Sequence, residues 1–273
     1  MVRRRGLDRS LLLALSNWDR RKTLAPTRAQ FVHLHLHTDY SLLDGACDIE
    51  GLVELAQQHR MPAVAVTDHG NLFAAVKFYN AAQKAGIKPV IGCEVYVTQG
   101  SRHSRSEQDR YNHLVLLCEN QEGYRNLIQL VSAANLEGFY YRPRVDREIL
   151  TQRSKGLICL SACLRGELAE ALAAGQYDAA KRLAYTYQDI FGRDNFFLEM
   201  QDQGIDLEKR LNPMIYRLSQ ETGMPVLATN DTHYLSREDT RAHDVLLCIQ
   251  TGKTQSDPSR LRFATPEFYL KSY

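Results

Sequence analysis

Residues 31–38 read FVHLHLHT, and residues 63–70 read AVAVTDHG. In the first stretch apolar residues alternate with histidines. Successive side chains of an extended chain point to opposite faces. His33, His35 and His37 therefore share one face, with His37 nearest the C-terminal end. The second stretch is a short apolar run that also ends on a histidine. Both read as strands that deliver imidazole at their ends.

Five further runs resemble the second: 89–97, 113–118, 156–161, 195–200 and 225–229. Most are short and continuously apolar, as expected of strands buried on both faces of a parallel sheet. Helical patterns lie between them. In 49–59, Leu52, Val53, Leu55 and Ala56 share a face; in 72–85, Ala75, Val76, Tyr79 and Ala82 do. In 123–134 the stripe is Leu127, Ile128, Leu130 and Val131. Two helices are expected in 167–191, broken near Gly175, and others at 207–222 and 237–250. Gly86 and Gly223 stand where helix C-caps belong. Seven βα units predict an α/β barrel or a doubly wound sheet. The polar stretch 100–110 reads as a mobile surface loop.

The chain has 273 residues, 44% hydrophobic and 24% charged, enough apolar material for a sizeable core. Net charge is +2, unevenly placed. Eight Lys and Arg against Asp8 and Asp19 give the first 30 residues +6, leaving −4 for the rest. The body thus lacks a strong nucleic-acid footprint of its own. Residues 1–29, with Arg3 to Arg5, are expected to be a disordered, solvated extension before a domain spanning 30–273. The apolar run Leu11 to Leu15 is too short for a signal peptide, and no stretch is long enough to span a membrane. Six scattered cysteines without a Cys-x-x-Cys pair suit a reducing compartment. The expectation is a cytoplasmic protein with no membrane association.

Chemistry collects at the strand ends. Beyond His35 and His37 come Asp44, the pair Asp68 and His69, then Glu94 after Cys93, then His113, Cys163, Asp231 and His233. Side chains at the C-terminal strand ends of parallel α/β folds converge on one pocket. Buried as free charge, such a set is costly; divalent metals remove that cost. His and Cys favour zinc, and the carboxylates also accept manganese or iron. The number of ligands suits two or three divalent ions. His113 is irregular because it opens a strand run, and position alone does not select it. Each member has a plainer reading: a structural His-x-His, a capped turn at Asp68, a surface carboxylate at Glu94, a buried small thiol at Cys163, an N-cap at Asp231. Their recurrence at corresponding strand ends favours the metal site. His59, His103 and His243 read as solvated or packing residues, and His33 lies one pleat too deep.

The blocks HLHT, TDHG, GCE and NDTH resemble the PHP (polymerase and histidinol phosphatase) superfamily. The longer stretches FVHLHLHTDYSLLDGA, KFYNAAQKAGIKPVIGCEVYV, GLICLSACLRGEL, NDTHYL and HDVLLCIQTGK are similar to the PHP domains that open bacterial DNA polymerase III alpha subunits. The resemblance implies a distorted seven-stranded TIM-like (β/α) barrel with a trinuclear metal centre. It implies nine ligands: His35, His37, Asp44, His69, Glu94, His113, Cys163, Asp231 and His233. It also implies a chain that stops where polymerase domains would begin, without the carboxylates for nucleotidyl transfer.

The expected activity is metal-dependent phosphodiester hydrolysis at a DNA 3′ end, a 3′–5′ exonuclease, with pyrophosphate as a second substrate. His37 is the key catalytic position. Asp68 and Asn230 are expected to orient His69 and the NDTH turn, and Arg165 to meet a substrate phosphate. Expected partners are DNA, the remaining polymerase domains and replisome subunits. A structural docking module with non-catalytic metals and a stand-alone small-molecule phosphatase are the rivals.

Overall fold

The computed structural model describes residues 31–106 and 110–272; the expected extension over 1–29 lies outside the described residues. The described elements alternate as β and α. They are α1 (Ile49–Gln58), β1 (Ala63–Val66), α2 (Ala75–Ala85), β2 (Lys88–Thr98), β3 (Tyr111–Cys118), α3 (Gln121–Leu136), β4 (Arg144–Val145) and α4 (Arg147–Arg153). Then follow β5 (Leu157–Leu160), α5 (Glu167–Ala173), α6 (Tyr177–Phe191), β6 (Phe196–Gln201), α7 (Asp206–Thr222), β7 (Val226–Thr229) and α8 (Thr240–Thr251). Gly86 and Gly223 take left-handed conformations at the ends of α2 and α7, and Gly175 does so between α5 and α6. These three positions agree with the sequence reading.

The sheet runs β1-β2-β3-β5-β6-β7, with β4 pairing on β2. Residues 33–37 bridge its two ends. The Ala65 amide donates to His33 O and the Thr67 amide to Leu36 O on one side. On the other, the His37 amide donates to Thr232 O and the Thr232 amide to His35 O. The curled sheet is thereby joined into a distorted barrel. The pattern of 31–37 predicts a strand, but the stretch is not a regular one, because it pairs through one isolated bridge, Leu36 with Thr232.

A second departure is directional. β3 is antiparallel to both β2 and β5, whereas β1–β2, β5–β6 and β6–β7 are parallel. The connection from β2 to β3 is a loop rather than a helix, so the chain turns back directly. One reversed strand thus interrupts an otherwise parallel succession. The start of β3 consequently lies at the end where the other strands finish.

Strand alternation divides the apolar side chains. Val115, Leu117, Ile158, Leu160 and Phe197 form an inner cluster. Leu114, Leu116, Leu157, Cys159, Phe196 and Leu198 face out against α3 to α7. By the same parity, His113 follows Val115 and Glu199 follows Phe197 toward the interior. A third cluster seats α1 and α2 on β1 through Leu52, Val64, Val66 and Phe78. On α2 the buried face is Ala75, Phe78 and Ala82; Val76 and Tyr79 are exposed, against the expected stripe. The element pair β4–α4 was not foreseen. The described part of the 100–110 loop is anchored rather than free. Arg144 Nη2 donates to Ser104 O at 2.5 Å, and Arg102 pairs with Asp146 at 3.1 Å. Among the described residues no helix is long and apolar enough to cross a membrane.

Candidate metal centre

The nine expected ligands meet at one end of the barrel. His35 Nε2 lies 3.4 Å from Glu94 Oε1 and 3.2 Å from Asp231 Oδ1. His37 Nε2 lies 3.4 Å from Glu94 Oε2 and 3.2 Å from the same Asp231 oxygen. His69 sits between Asp44, 2.9 Å from Nε2, and Glu94, 2.7 Å from Nδ1. His113 Nδ1 is 2.9 Å from Glu94 Oε1, and Cys163 Sγ is 3.8 Å from His113 Nδ1. His233 Nε2 is 4.0 Å from Asp44 Oδ1. Three overlapping trios bring their donor atoms within 4.8 Å: His35–His37–Glu94, His37–His69–His233 and His69–Glu94–His113.

Local backbone geometry places these groups. The segment after His37 turns sharply, with the Asp44 and Gly45 amides both donating to Ser41 O, at 2.9 and 2.8 Å. A Cβ on Gly45 would stand 2.0 Å from Thr38 O, so only glycine lets the turn fold Asp44 back over His69. Ala162 and Asp231 both adopt left-handed φ, at 65° and 46°. Such backbone is costly for a residue with a Cβ, though Asp tolerates it better. It aims Cys163 and Asp231 into the cluster. His113 enters from the reversed β3, where its amide donates to Arg165 O at 3.0 Å.

The hydrogen bonds around the cluster set the imidazole tautomers. Ser41 Oγ has one proton, which it donates to Asp68 Oδ1 at 2.7 Å. It must therefore accept from His37 Nδ1, 3.0 Å away, and His37 Nε2 keeps its lone pair. His35 Nδ1 faces Glu199 Oε1 at 2.7 Å, and His233 Nδ1 donates to Asp231 O at 2.8 Å. Each arrangement leaves Nε2 directed inward, the usual way an outer partner orients a metal-binding histidine. Among the described residues, five buried atoms of the cluster face one another without a hydrogen bond of acceptable geometry: His35 Nε2, His37 Nε2, His69 Nδ1, Glu94 Oε2 and Asp231 Oδ1. Orphaned polar atoms of this kind are costly unless a cation satisfies them. The donor set fits divalent metal ions.

Charge is correspondingly polarised. Burial opposes the charged form of His35, but Asp231, Glu199 and Glu94 hold its pKa well above the ordinary histidine value. Burial likewise opposes the His69 cation, yet Glu94 and Asp44 raise it to about 10. His37 moves the other way, to about 3, through burial and the neighbouring His69 and His233. Burial works against the Glu94 and Asp44 carboxylates, but the surrounding histidines hold both well below their usual range. Cys163 is pushed up by burial and then by Asp231 and Glu94. Its thiolate needs a cation nearby to form.

Asp68 does not touch the His69 side chain as expected. It accepts from Thr38 N, Thr38 Oγ1 and Ser41 Oγ at 2.7, 2.8 and 2.7 Å, and so acts on His37 through Ser41. Asn230 does not brace the turn at His233. Its Nδ2 donates to Glu267 O and Tyr269 O, fastening the segment 267–271. Arg165 has an exposed side chain that pairs with no carboxylate among the described residues. His33 is buried outside the cluster on Thr232 and Lys271 O, and His243 is a packing residue whose Nε2 donates to Asp44 O. Glu199 escaped the sequence reading. Its signal was present: one acid inside the apolar run NFFLEM, where a charge is seldom buried without a partner.

A family model for the PHP domain matches residues 33–203. The DNA polymerase III subunit alpha of Treponema pallidum is 50% identical over 248 residues, covering 90% of this chain and 21% of that protein. Its counterpart from Borreliella burgdorferi is 46% identical over 248 residues, covering 90% and 22%. The chain thus spans about a fifth of the length of these relatives. Among solved structures, an amidohydrolase from Chromobacterium violaceum superposes with a TM-score of 0.48 at 16% identity, over 74% of this chain and 87% of that one.

Proposed function

The chain belongs to the PHP domain family, and from that premise we propose that it is the metal-dependent phosphodiesterase domain of a DNA polymerase III alpha subunit, acting on DNA 3′ ends. The observation that carries the reading is the convergence of five buried donor atoms, from His35, His37, His69, Glu94 and Asp231, that crowd within 2.7–3.4 Å of one another without well-formed hydrogen bonds. Glu94, His35, His37 and Asp231 would hold one ion. Asp44, His69 and His233 would hold a second, and Glu94, His113 and Cys163 a third. Zinc, manganese and iron all suit this mixture. When bound, such ions lower the pKa of water and neutralise charge developing on a phosphoryl group.

The chain's own residues supply the rest. Ser41, positioned by Asp68, keeps the His37 proton on Nδ1 and its lone pair inward. Glu199 does the same for His35. Thr38, which donates to Asp68 through both N and Oγ1, fixes the carboxylate against rotation. These contacts hold the donors in place before substrate arrives, so little reorganisation accompanies reaction. Arg165, exposed and tied to the site through its carbonyl, which accepts from the His113 amide, would meet a substrate phosphate.

The test is release of nucleotide from 3′-labelled single-stranded DNA by the purified chain, with zinc, manganese, magnesium or EDTA. Metal-dependent release that Asp231→Asn abolishes is expected. No release by a folded, metal-loaded chain overturns the catalytic reading in favour of a structural module of the polymerase.

A further inference from the structure

A rim of aromatic and basic side chains stands beside the cluster. Tyr96 stacks on His69, with centroids 5.9 Å apart and planes 20° apart, and meets His113 edge-on at 5.3 Å. The Arg142 guanidinium lies 5.7 Å from the Tyr96 ring centroid, and the Tyr111 ring meets Tyr96 edge-on at 5.2 Å. Among the described residues no carboxylate lies within 4 Å of it. It shares that with Arg165, whereas Arg102, Arg147, Arg217, Arg237 and Arg260 each pair with an acid. A cation beside a metal cluster is repelled once the ions bind, unless an anion sits between.

The backbone that presents Arg142 is strained. Tyr141 takes φ 59°, a left-handed conformation that a bulky side chain rarely adopts. The residue is 75% exposed, its ring packing edge-on against Tyr140. Phe139 is exposed as well. The turn is nevertheless firmly held. Arg144 Nε donates to Gly138 O at 3.0 Å, and the Tyr140 amide to Arg142 O at 3.1 Å. Pro143 packs so closely on Gly70 of the TDHG stretch that a Cβ there would stand 2.6 Å from its ring. Strain and exposed aromatic surface thus coincide in the turn that presents Arg142, where neither contributes to the core.

We propose that Arg142 and Tyr141 form a binding subsite for the end of a single-stranded nucleic acid. Arg142 takes a backbone phosphate beside the metal cluster, and Tyr141 offers its ring face to a base. An arginine next to exposed aromatic rings is the recurrent solution for strands without a fixed sequence, because every base has a π-face. A small phosphomonoester would use the arginine but leave the aromatic surface idle. The proposal rests on the phosphodiesterase reading and sharpens it to polymeric substrates.

The experiment measures binding apart from hydrolysis. The zinc-loaded chain is titrated into a 5′-fluorescein (dT)8 with a 3′-terminal phosphorothioate, read by anisotropy at several salt concentrations. Tyr141→Gly suits the left-handed backbone, so its melting temperature should hold or rise while affinity falls about tenfold. Tyr141→Phe should keep the affinity. Arg142→Ala should weaken binding and lower the slope of log K against log salt by about 0.7, the loss of one phosphate contact. Tyr216→Ala, another exposed aromatic position, serves as the surface control. Unchanged affinity in Tyr141→Gly and Arg142→Ala overturns the proposal, as does a loss confined to Arg165→Ala. If both variants weaken binding yet the wild-type chain releases no nucleotide, the subsite stands and the hydrolytic reading fails.

Discussion

Replacing Glu199 by Gln tests whether the cluster is organised for metal from outside its ligands. Glu199 Oε1 accepts from His35 Nδ1 at 2.7 Å, from Gln201 Nε2 at 2.9 Å and from Thr229 Oγ1. The residue is buried, and its size and shape survive the change to an amide. What is lost is the charge. A hydrogen bond to a charged group contributes about 1.5–3 kcal/mol, against roughly 0.5–1.5 for a neutral one. The difference of about 1–1.5 kcal/mol weakens metal binding roughly tenfold, at the low end of the 10–100-fold expected for such partners. A second effect opposes it. Glu199 also helps His35 hold a proton, which metal must displace. Removing Glu199 eases that competition at neutral pH, so the loss should be larger at pH 9 than at pH 7. Competition with a chromophoric zinc chelator at both pH values reads the constants directly. Affinity within twofold of wild type at pH 9, in a variant of unchanged melting temperature, would refute the argument.

Metal uptake should release protons, because His69 carries one up to about pH 10 and cannot ligate through a protonated nitrogen. Affinity should rise by up to tenfold per pH unit for each proton displaced between pH 7 and 10; calorimetry in buffers of different ionisation enthalpy counts them, and a count of zero contradicts the assignment. Acid should destabilise the metal-free chain through His33 and His243, both held near pKa 4, His33 mainly by burial and His243 by burial and His233. Their folded pKa values lie below the unfolded value of about 6.5, so this stability is present above pH 6.5 and is lost as pH falls toward 4. Each contributes about 2–3 kcal/mol by pH 4.5. Urea unfolding of His243→Gln should show a smaller drop between pH 7 and 4.5 than wild type, and an equal drop counts against the account. Gly123→Ala should destabilise although it lies in the first turn of α3, because the new Cβ would stand 1.7 Å from Gly156 O. The backbone must give way, at a cost of about 3 kcal/mol that exceeds the ~1 kcal/mol gained in helix propensity; a raised melting temperature would contradict it.

Much was legible in the chain itself. Hydrophobic period and glycine position are local properties, so the strands after residue 60 other than the two-residue β4, and the caps at Gly86 and Gly223, could be read directly. The chemistry of the site was equally local, since His35, His37, His69, Glu94, Asp231 and His233 lie in or just after extended runs that the chain itself displays. Direction was not. Nothing within residues 111–118 says that β3 runs backward, because an apolar run buried on both faces looks alike in either sense. That reversal brings His113, at the start of its strand, beside Glu94 and Cys163. Partnership across the fold was also beyond reach. Glu199 meets His35 from 164 residues away, and Asp68 acts through Ser41 on His37 rather than on its neighbour His69. A motif states which groups are available. Which lone pair faces the metal depends on hydrogen bonds between distant segments, and only closure of the barrel brings those segments together.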